Sequence, residues 1–253
     1  EVSLHNYTAC IQQMYEYDPK RNERMNQRED MIDMMTDVAD KYVVEISPHI
    51  TLDYDDRYQS FLMKGLVSIE RIGDLAINIM QSIINMKSED VQFSNVAMAE
   101  LRVLMTAVND ILEMTADAYK EKSHSMAQRI EPLEEVIDEL VDKVRRRHMW
   151  RMKHNLCEVV RGISFQNIIQ NLERISDQCS DLGVNILGLE DESINGNEHQ
   201  YLRDIHHSDD PLYNRLFAKY KAKYMGVLDS IAVDSVNGNE EEVEKQLKLD
   251  IEI

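Results

Sequence analysis

Apolar residues recur at helical rather than strand spacing along almost all of this 253-residue chain, and the pattern predicts six long helices and a tail. The first runs from the start to about Tyr17 and ends at Asp18-Pro19. The second covers roughly 21–46, with Ile32, Met35, Val38, Ala39, Tyr42, Val43 and Ile46 as its apolar positions. Pro48 closes it, because the residue before a proline is pushed out of the helical region. The third spans about 52–87, the fourth about 94–121, the fifth about 126–153 and the sixth about 157–188. Pro132 falls early in the fifth, so that helix either starts at Glu131 or bends there. After Leu189 the polar stretch Glu190 to Asn197 reads as a loop, and His199, His206 and His207 are placed in the loop as solvated side chains. Ser208-Asp209-Asp210-Pro211 has the form of a helix start, with a capping side chain and proline in the first turn. It opens a helix carrying Tyr213, Phe217, Tyr220 and Tyr224 at 4,3,4 spacing, a stripe suited to packing on the bundle. From Gly238 onward the chain is an acidic tail.

The third and sixth helices carry one pattern twice. Leu62, Leu66, Ile69, Gly73, Ala76, Met80 and Ile83 step by 4,3,4,3,4,3, and Phe165, Ile169, Leu172, Ser176, Cys179, Gly183 and Ile186 repeat those steps 103 residues later. This is a seam for packing against neighbouring helices, and its centre is small in both copies. Beside it stand Glu70-Arg71-Ile72-Gly73-Asp74 and Glu173-Arg174-Ile175-Ser176-Asp177. A second acidic motif, Glu29-Asp30-Met31-Ile32-Asp33, returns 105 residues on as Glu134-Glu135-Val136-Ile137-Asp138. One unit is written twice. The expected fold is all-α: two tandem three-helix bundles over 1–90 and 91–189, the first helix looking truncated, then a loop, a C-terminal helix and the tail over 190–253.

Eight Gly and four Pro in 253 residues agree with long uninterrupted helices. A net charge of −19 argues against nucleic acid or an anionic membrane surface as a direct partner and favours cations or a basic protein patch. No apolar run approaches the roughly 20 residues of a membrane span. Cys10, Cys157 and Cys179 lack metal-ligand spacing and read as thiols in a reducing compartment. The chain begins at Glu1 in what reads as mid-helix, the pattern expected of the soluble part of something longer.

Charge becomes informative at the repeated motifs. Two residues four apart on a helix lie about 40° apart around the axis and roughly 6 Å along it, so both side chains leave one face. With 47 acidic residues, chance alone supplies about nine acidic pairs at that spacing, most of them solvated or paired with Lys and Arg. Two pairs per half, in register and flanking small seam residues, go beyond that background. If the helices are antiparallel, Glu29, Asp33, Glu70 and Asp74 converge in the first half, and Glu134, Asp138, Glu173 and Asp177 in the second. Asp181 extends the second set by one turn, and Asn78 is its counterpart in the first. Clustered carboxylates need raised pKa values, Arg partners or a bound cation. Arg71 and Arg174 are candidate partners, but each lies 100° around the helix from its Glu. The expected ion is iron, manganese, magnesium, calcium or zinc, an all-carboxylate set favouring the harder ions over structural zinc.

At Ile69–Asp74 and Leu172–Asp177 the chain resembles the PhoU family, and the likeness spans about residues 1–190. The resemblance implies two three-helix bundles that bind multinuclear metal clusters on their surface and regulate phosphate uptake without being enzymes. A narrower likeness, at Cys157–Phe165, Asn171–Asp177, Tyr201-Leu202-Arg203 and Phe217–Tyr224, is to the cytoplasmic C-terminal region of bacterial sodium/phosphate cotransporters. It implies a soluble domain on the cytoplasmic side of the plasma membrane, a membrane-embedded phosphate transporter domain as partner, and a possible homodimer. Many PhoU relatives carry His after the motif Asp, where this chain has Leu75 and Gln178. A free-standing PhoU regulator is the alternative, and pure scaffolding without metal another. A di-iron carboxylate oxidase is a weaker reading, because Glu121-Lys-Ser-His124 is the only Glu-x-x-His and has no counterpart in the other half.

Overall fold

In the computed structural model, which describes residues 1–157 and 159–231, every regular element is helical. The first half contains α1 (Val2–Tyr15), α2 (Pro19–Ile46) and α3 (Asp53–Ser88). Asp18 caps α2, its carboxylate accepting from Lys20 N at 2.9 Å with Pro19 in the first turn. The buried Gln13 amide closes the α1–α2 corner by donating to Asp18 O and accepting from Asp18 N, both at 2.7 Å. Pro48 stops α2 as its position demands, leaving a short 3-10 turn at Ser47–His49.

The second half repeats the plan with α4 (Asn95–Glu121), the single turn α5 (His124–Ala127), α6 (Glu131–Lys153) and α7 (Val159–Glu190). The expected fifth helix is therefore split, and Pro132 lies in the first turn of α6, where its missing N–H costs nothing. Within each half the three long helices pack on one another, and α3 against α7 is the most extensive helix pair, joining the halves into one core. Tyr7 donates to Met105 O at 2.8 Å and Asn185 to Phe61 O at 2.8 Å across that junction. The α7 seam is buried throughout, whereas on α3 it is half-buried from Leu62 to Ile69 and buried from Gly73 on.

Three expectations need correction. On α2, Ile32 and Val43 are buried, but Met35, Val38 and Tyr42 lie exposed. At 1.5 Å per residue α1 is about 21 Å long and α2 about 42 Å, so α1 cannot cover the second half of α2. Next, the presumed loop after 197 holds a helix, α8 (Glu198–His206), which carries His199 and His206. Lys64 of α3 ties its first residue, Glu198, down. Last, His206 is not simply solvated, as described below. The acidic tail from Gly238 lies outside the described residues.

The final helix, α9 (Pro211–Ser230), starts where the sequence pattern places it, with Asp210 accepting from Tyr213 N at 2.8 Å. Tyr213, Tyr220 and Tyr224 are buried against α6 and α4, and the Tyr224 hydroxyl bonds Asp110. Its far end is held by a buried charge cluster. Glu100 of α4 is fully buried and receives both Arg151 Nη atoms, at 2.8 and 2.6 Å, with Arg147 Nε 3.0 Å away. Arg147 donates onward to the carbonyls of Leu228 and Ile231. Replacing Glu100 by Gln leaves two buried guanidinium groups without a counter-charge, a loss of about 3–5 kcal/mol. Urea unfolding is expected to show that loss, and a variant within 1 kcal/mol of the parent would mean the cluster is solvated.

Candidate metal centre

The antiparallel neighbours α2 and α3 bring the first acidic set onto one strip. Glu29 sits against α3, where a Cβ added at Gly73 would fall 2.7 Å from its Oε2, so the glycine makes room for a carboxylate. Both Glu29 oxygens are buried, and among the described residues neither meets a donor at normal hydrogen-bond geometry, with Asp74 and Asn6 alongside. Its carboxyl is pushed up to about 7 by burial, then by the charges of Asp74 and Asp33. Glu70 is raised by burial and by Asp33 and Asp74, while Asp33 and Asp74 themselves lie exposed. Among the described residues, no three of these four gather their oxygens within 4.8 Å.

The second set closes further. Glu134 and Asp138 on α6 and Asp177 on α7 place one oxygen each within 4.8 Å of the others. Glu134 is 8 % exposed, its carboxylate accepts no hydrogen bond from the described residues, and burial followed by the charges of Glu131, Asp138 and Asp177 drives its pKa strongly upward. Burial and the Asp177 and Glu173 charges push Asp138 up to about 7. Burial and the Glu173 and Asp181 charges push Asp177 up to about 6. Glu173 is drawn aside by Arg145, at 2.9 Å, a partner that motif spacing did not reveal. Asp181 is raised by burial but faces Arg71 and His199 and stands outside the trio.

A second trio shares Glu134. Glu131 and His206 join it within 4.8 Å, the former from the first turn of α6 and the latter from the end of α8. His206 Nε2 bonds Glu131, and its Nδ1 lies 3.5 Å from Glu135. The Glu131 bond, ahead of the opposing effect of burial, raises the His206 pKa. Glu131 also accepts from Ser180. Sequence offered one signal for Glu131, a third acid one turn before the motif, and none for His206, whose approach depends on the packing of α8.

The donor set fits a hard cation: oxygens from two helices, one carboxylate buried and two at its solvent edge, close enough to raise one another's pKa. The described residues thus define an acidic, all-helical protein whose paired helices bring together carboxylates that could hold a metal ion. Residues 101–186, which include most of α4 and α7 and all of α6, match the PhoU domain family. A relative from Thermotoga maritima, the phosphate-specific transport system accessory protein PhoU homolog 1, is 24% identical over 178 residues, 70% of this chain and 75% of that protein. The crystal structure of PhoU from Pseudomonas aeruginosa superposes with a TM-score of 0.69 at 18% identity, covering 74% of this chain and 90% of that one. The phosphate transport system regulatory protein PhoU from Streptococcus pneumoniae gives 0.67 at 18%, covering 75% and 88%. At these identities the two structures establish the shared fold.

The raised carboxyls set a pH dependence. Their folded pKa values exceed the ordinary 3.8–4.5, so the native state keeps protons that the unfolded chain has released. Their contribution to stability is complete near pH 4 and is lost as pH rises through about 6 to 7. In chelator, Asp138→Asn is expected to be more stable than the parent at pH 8, with the gap closing toward pH 5. Denaturant titrations at the two pH values measure it. Parallel curves would show that solvent screens the strip.

Proposed function

We propose that this chain is a PhoU-like regulator of phosphate transport whose acidic strip on α6 and α7 holds a metal ion. The observation that carries the reading is the convergence of Glu134, Asp138 and Asp177, all inside the PhoU domain. Glu173 and Asp181 flank that centre, and Glu29, Asp33, Glu70 and Asp74 form a looser counterpart in the first half. Iron, manganese, magnesium, calcium and zinc remain the candidate ions, the carboxylates favouring the hard ones. An ion there supplies the positive charge that the cluster lacks. The protein's own residues present oxygens from two helices at once, so occupancy tightens the α6–α7 contact.

The names of the Thermotoga and Streptococcus proteins attach them to phosphate transport systems, which supports a PhoU-type regulator ahead of a sodium/phosphate cotransporter domain. No helix among the described residues is long and apolar enough to cross a membrane, so a transporter surface would come from outside them. The cotransporter reading retains one observation. α8 and α9 lie beyond the family match, which ends at 186, and they carry the Tyr201–Arg203 and Phe217–Tyr224 segments of that narrower likeness. Phosphate itself is a poor ligand for the cavity of about 480 Å³ between α1, α3, α4 and α7, where Glu1, Glu113 and Asp117 outnumber Lys120. The acidic surface suits a basic patch on the transporter, and a homodimer is compatible with it.

The test pairs metal content with transport. Elemental analysis of the purified chain is expected to find a stoichiometric divalent or ferric ion, absent from a folded Asp138→Ala/Asp177→Ala variant. Expressing the parent in cells is expected to change labelled-phosphate uptake, and the variant is expected to change it less. Metal absent from both, with reconstitution failing, would leave the strip a docking face. Unchanged uptake with metal bound would remove the regulatory reading and leave a metalloprotein.

A further inference from the structure

We propose that His206 is the nitrogen ligand of a transition-metal site built with Glu131 and Glu134, so that an ion bound there fastens α8 to the second bundle. The inference rests on the acidic strip being metal-binding and adds a ligand from outside the PhoU domain. Three side chains from two helices far apart in sequence converge here, and their donor atoms already lie within 4.8 Å of one another. Two of the three are more than nine-tenths buried. Glu134, which belongs to both trios, accepts no hydrogen bond and meets no arginine or lysine among the described residues, although the His206 ring lies within 4.8 Å of it.

The ordinary reading of His206 is an ion pair with Glu131 at the surface of the helix junction. That reading accounts for Glu131, which is satisfied by His206 and Ser180, but leaves Glu134 without a hydrogen bond of its own among the described residues. A divalent ion between the three answers both. It takes the place of the proton shared by His206 Nε2 and Glu131, the neutral imidazole supplies a lone pair, and the displaced proton leaves to solvent. Space exists on the inner side, where a cavity of about 30 Å³ opens against Glu131, Ser180, Tyr201 and Tyr213, enough for a metal-bound water.

A nitrogen donor changes which ions are preferred. Imidazole suits iron, cobalt, nickel, copper and zinc, whereas calcium and magnesium favour oxygen alone. Discrimination among ions is thus assigned to a helix lying past the end of the PhoU match at 186. The same ligand makes α8 responsive to occupancy. Besides partial burial of Tyr201 and Leu202, α8 is held by Lys64–Glu198 and by its continuation into α9, so a bond at His206 fixes its far end.

Cobalt(II) is the probe, read by its visible absorption and by equilibrium dialysis, with the full chain and with His206→Ala. Because His206 is partly exposed, the variant is expected to keep the parent's melting temperature. Its cobalt affinity should fall at least about tenfold, the loss that even a partner one shell out from a metal typically produces. Magnesium and calcium affinities should not change, and cobalt should slow hydrogen exchange over residues 198–206 in the parent but not in the variant. Glu131→Gln serves as the second variant and should match His206→Ala. Cobalt bound equally by parent and His206→Ala, with the same spectrum, would overturn the histidine ligand and leave the carboxylate centre standing. No cobalt bound by the parent, with magnesium or calcium still bound, would overturn the histidine site alone, and no ion of any kind bound would overturn both.

Discussion

Carboxylates gathered at the α6–α7 contact repel one another and lose water at the same time, and the second half of the molecule is organised around that cost. Glu134 lies nearest the core and bears it most heavily, while Asp138 and Asp177 remain open to solvent and recover part of their hydration. Around them the structure distributes compensation unevenly. Arg145 takes Glu173, Arg71 and His199 face Asp181, and Ser180 and His206 take Glu131. None of these hydrogen-bonds to Glu134, although the His206 ring lies within 4.8 Å of it. The contrast with Glu100 is instructive, because that carboxylate is buried still deeper yet meets two arginines. The fold can neutralise a buried acid with its own side chains and does so at Glu100.

The two halves show that one motif can give two electrostatic outcomes. In the first, Gly73 lets the Glu29 carboxylate lie directly on the α3 backbone. Its equivalent in the second half is Ser176, whose hydroxyl is spent on Glu173 O at 2.7 Å. The first half has no counterpart of α8 and α9, and its α1 leaves much of α2 uncovered. Its acids therefore face more water, and only the second half closes a trio. Burial by neighbouring helices, more than the motif itself, sets how strongly the carboxylates are perturbed.

What was legible in the sequence follows the same division between local and packed information. Helix periodicity, the proline stops, the Asp210 cap and the 4,3 seam all depend on residues within a few turns of one another, and they placed the long helices within a few residues. The doubled Glu-x-x-x-Asp spacing marked which carboxylates share a face, and the antiparallel packing then brought them together. Local patterning could not show that α1 is too short to cover Val38 and Tyr42, since that compares two helices in space. Nor could it show α8, nine residues long and lacking a capping side chain, whose stability comes from resting on α3 and α7. His206 was invisible for that reason: its partner Glu131 is 75 residues away, and only the seating of α8 joins them.

This seating places Glu131 where two pieces of the molecule meet. Its carboxylate holds Ser180 on α7 with one oxygen and His206 on α8 with the other, from the first turn of α6. Negative charge at a helix N-terminus is favoured by the helix dipole, so the position tolerates Glu131 and Glu134 together better than a mid-helix site would. The dipole field fades within a turn, and Asp138 lies beyond it. A cation arriving at the strip thus adds most at Asp138, beyond the reach of the helix terminus, and at Glu134, which the dipole favours but no arginine pairs. Occupancy would then draw α6, α7 and α8 toward one point, and α9, which follows α8 and is stapled to α6 by Arg147, would move or hold with them.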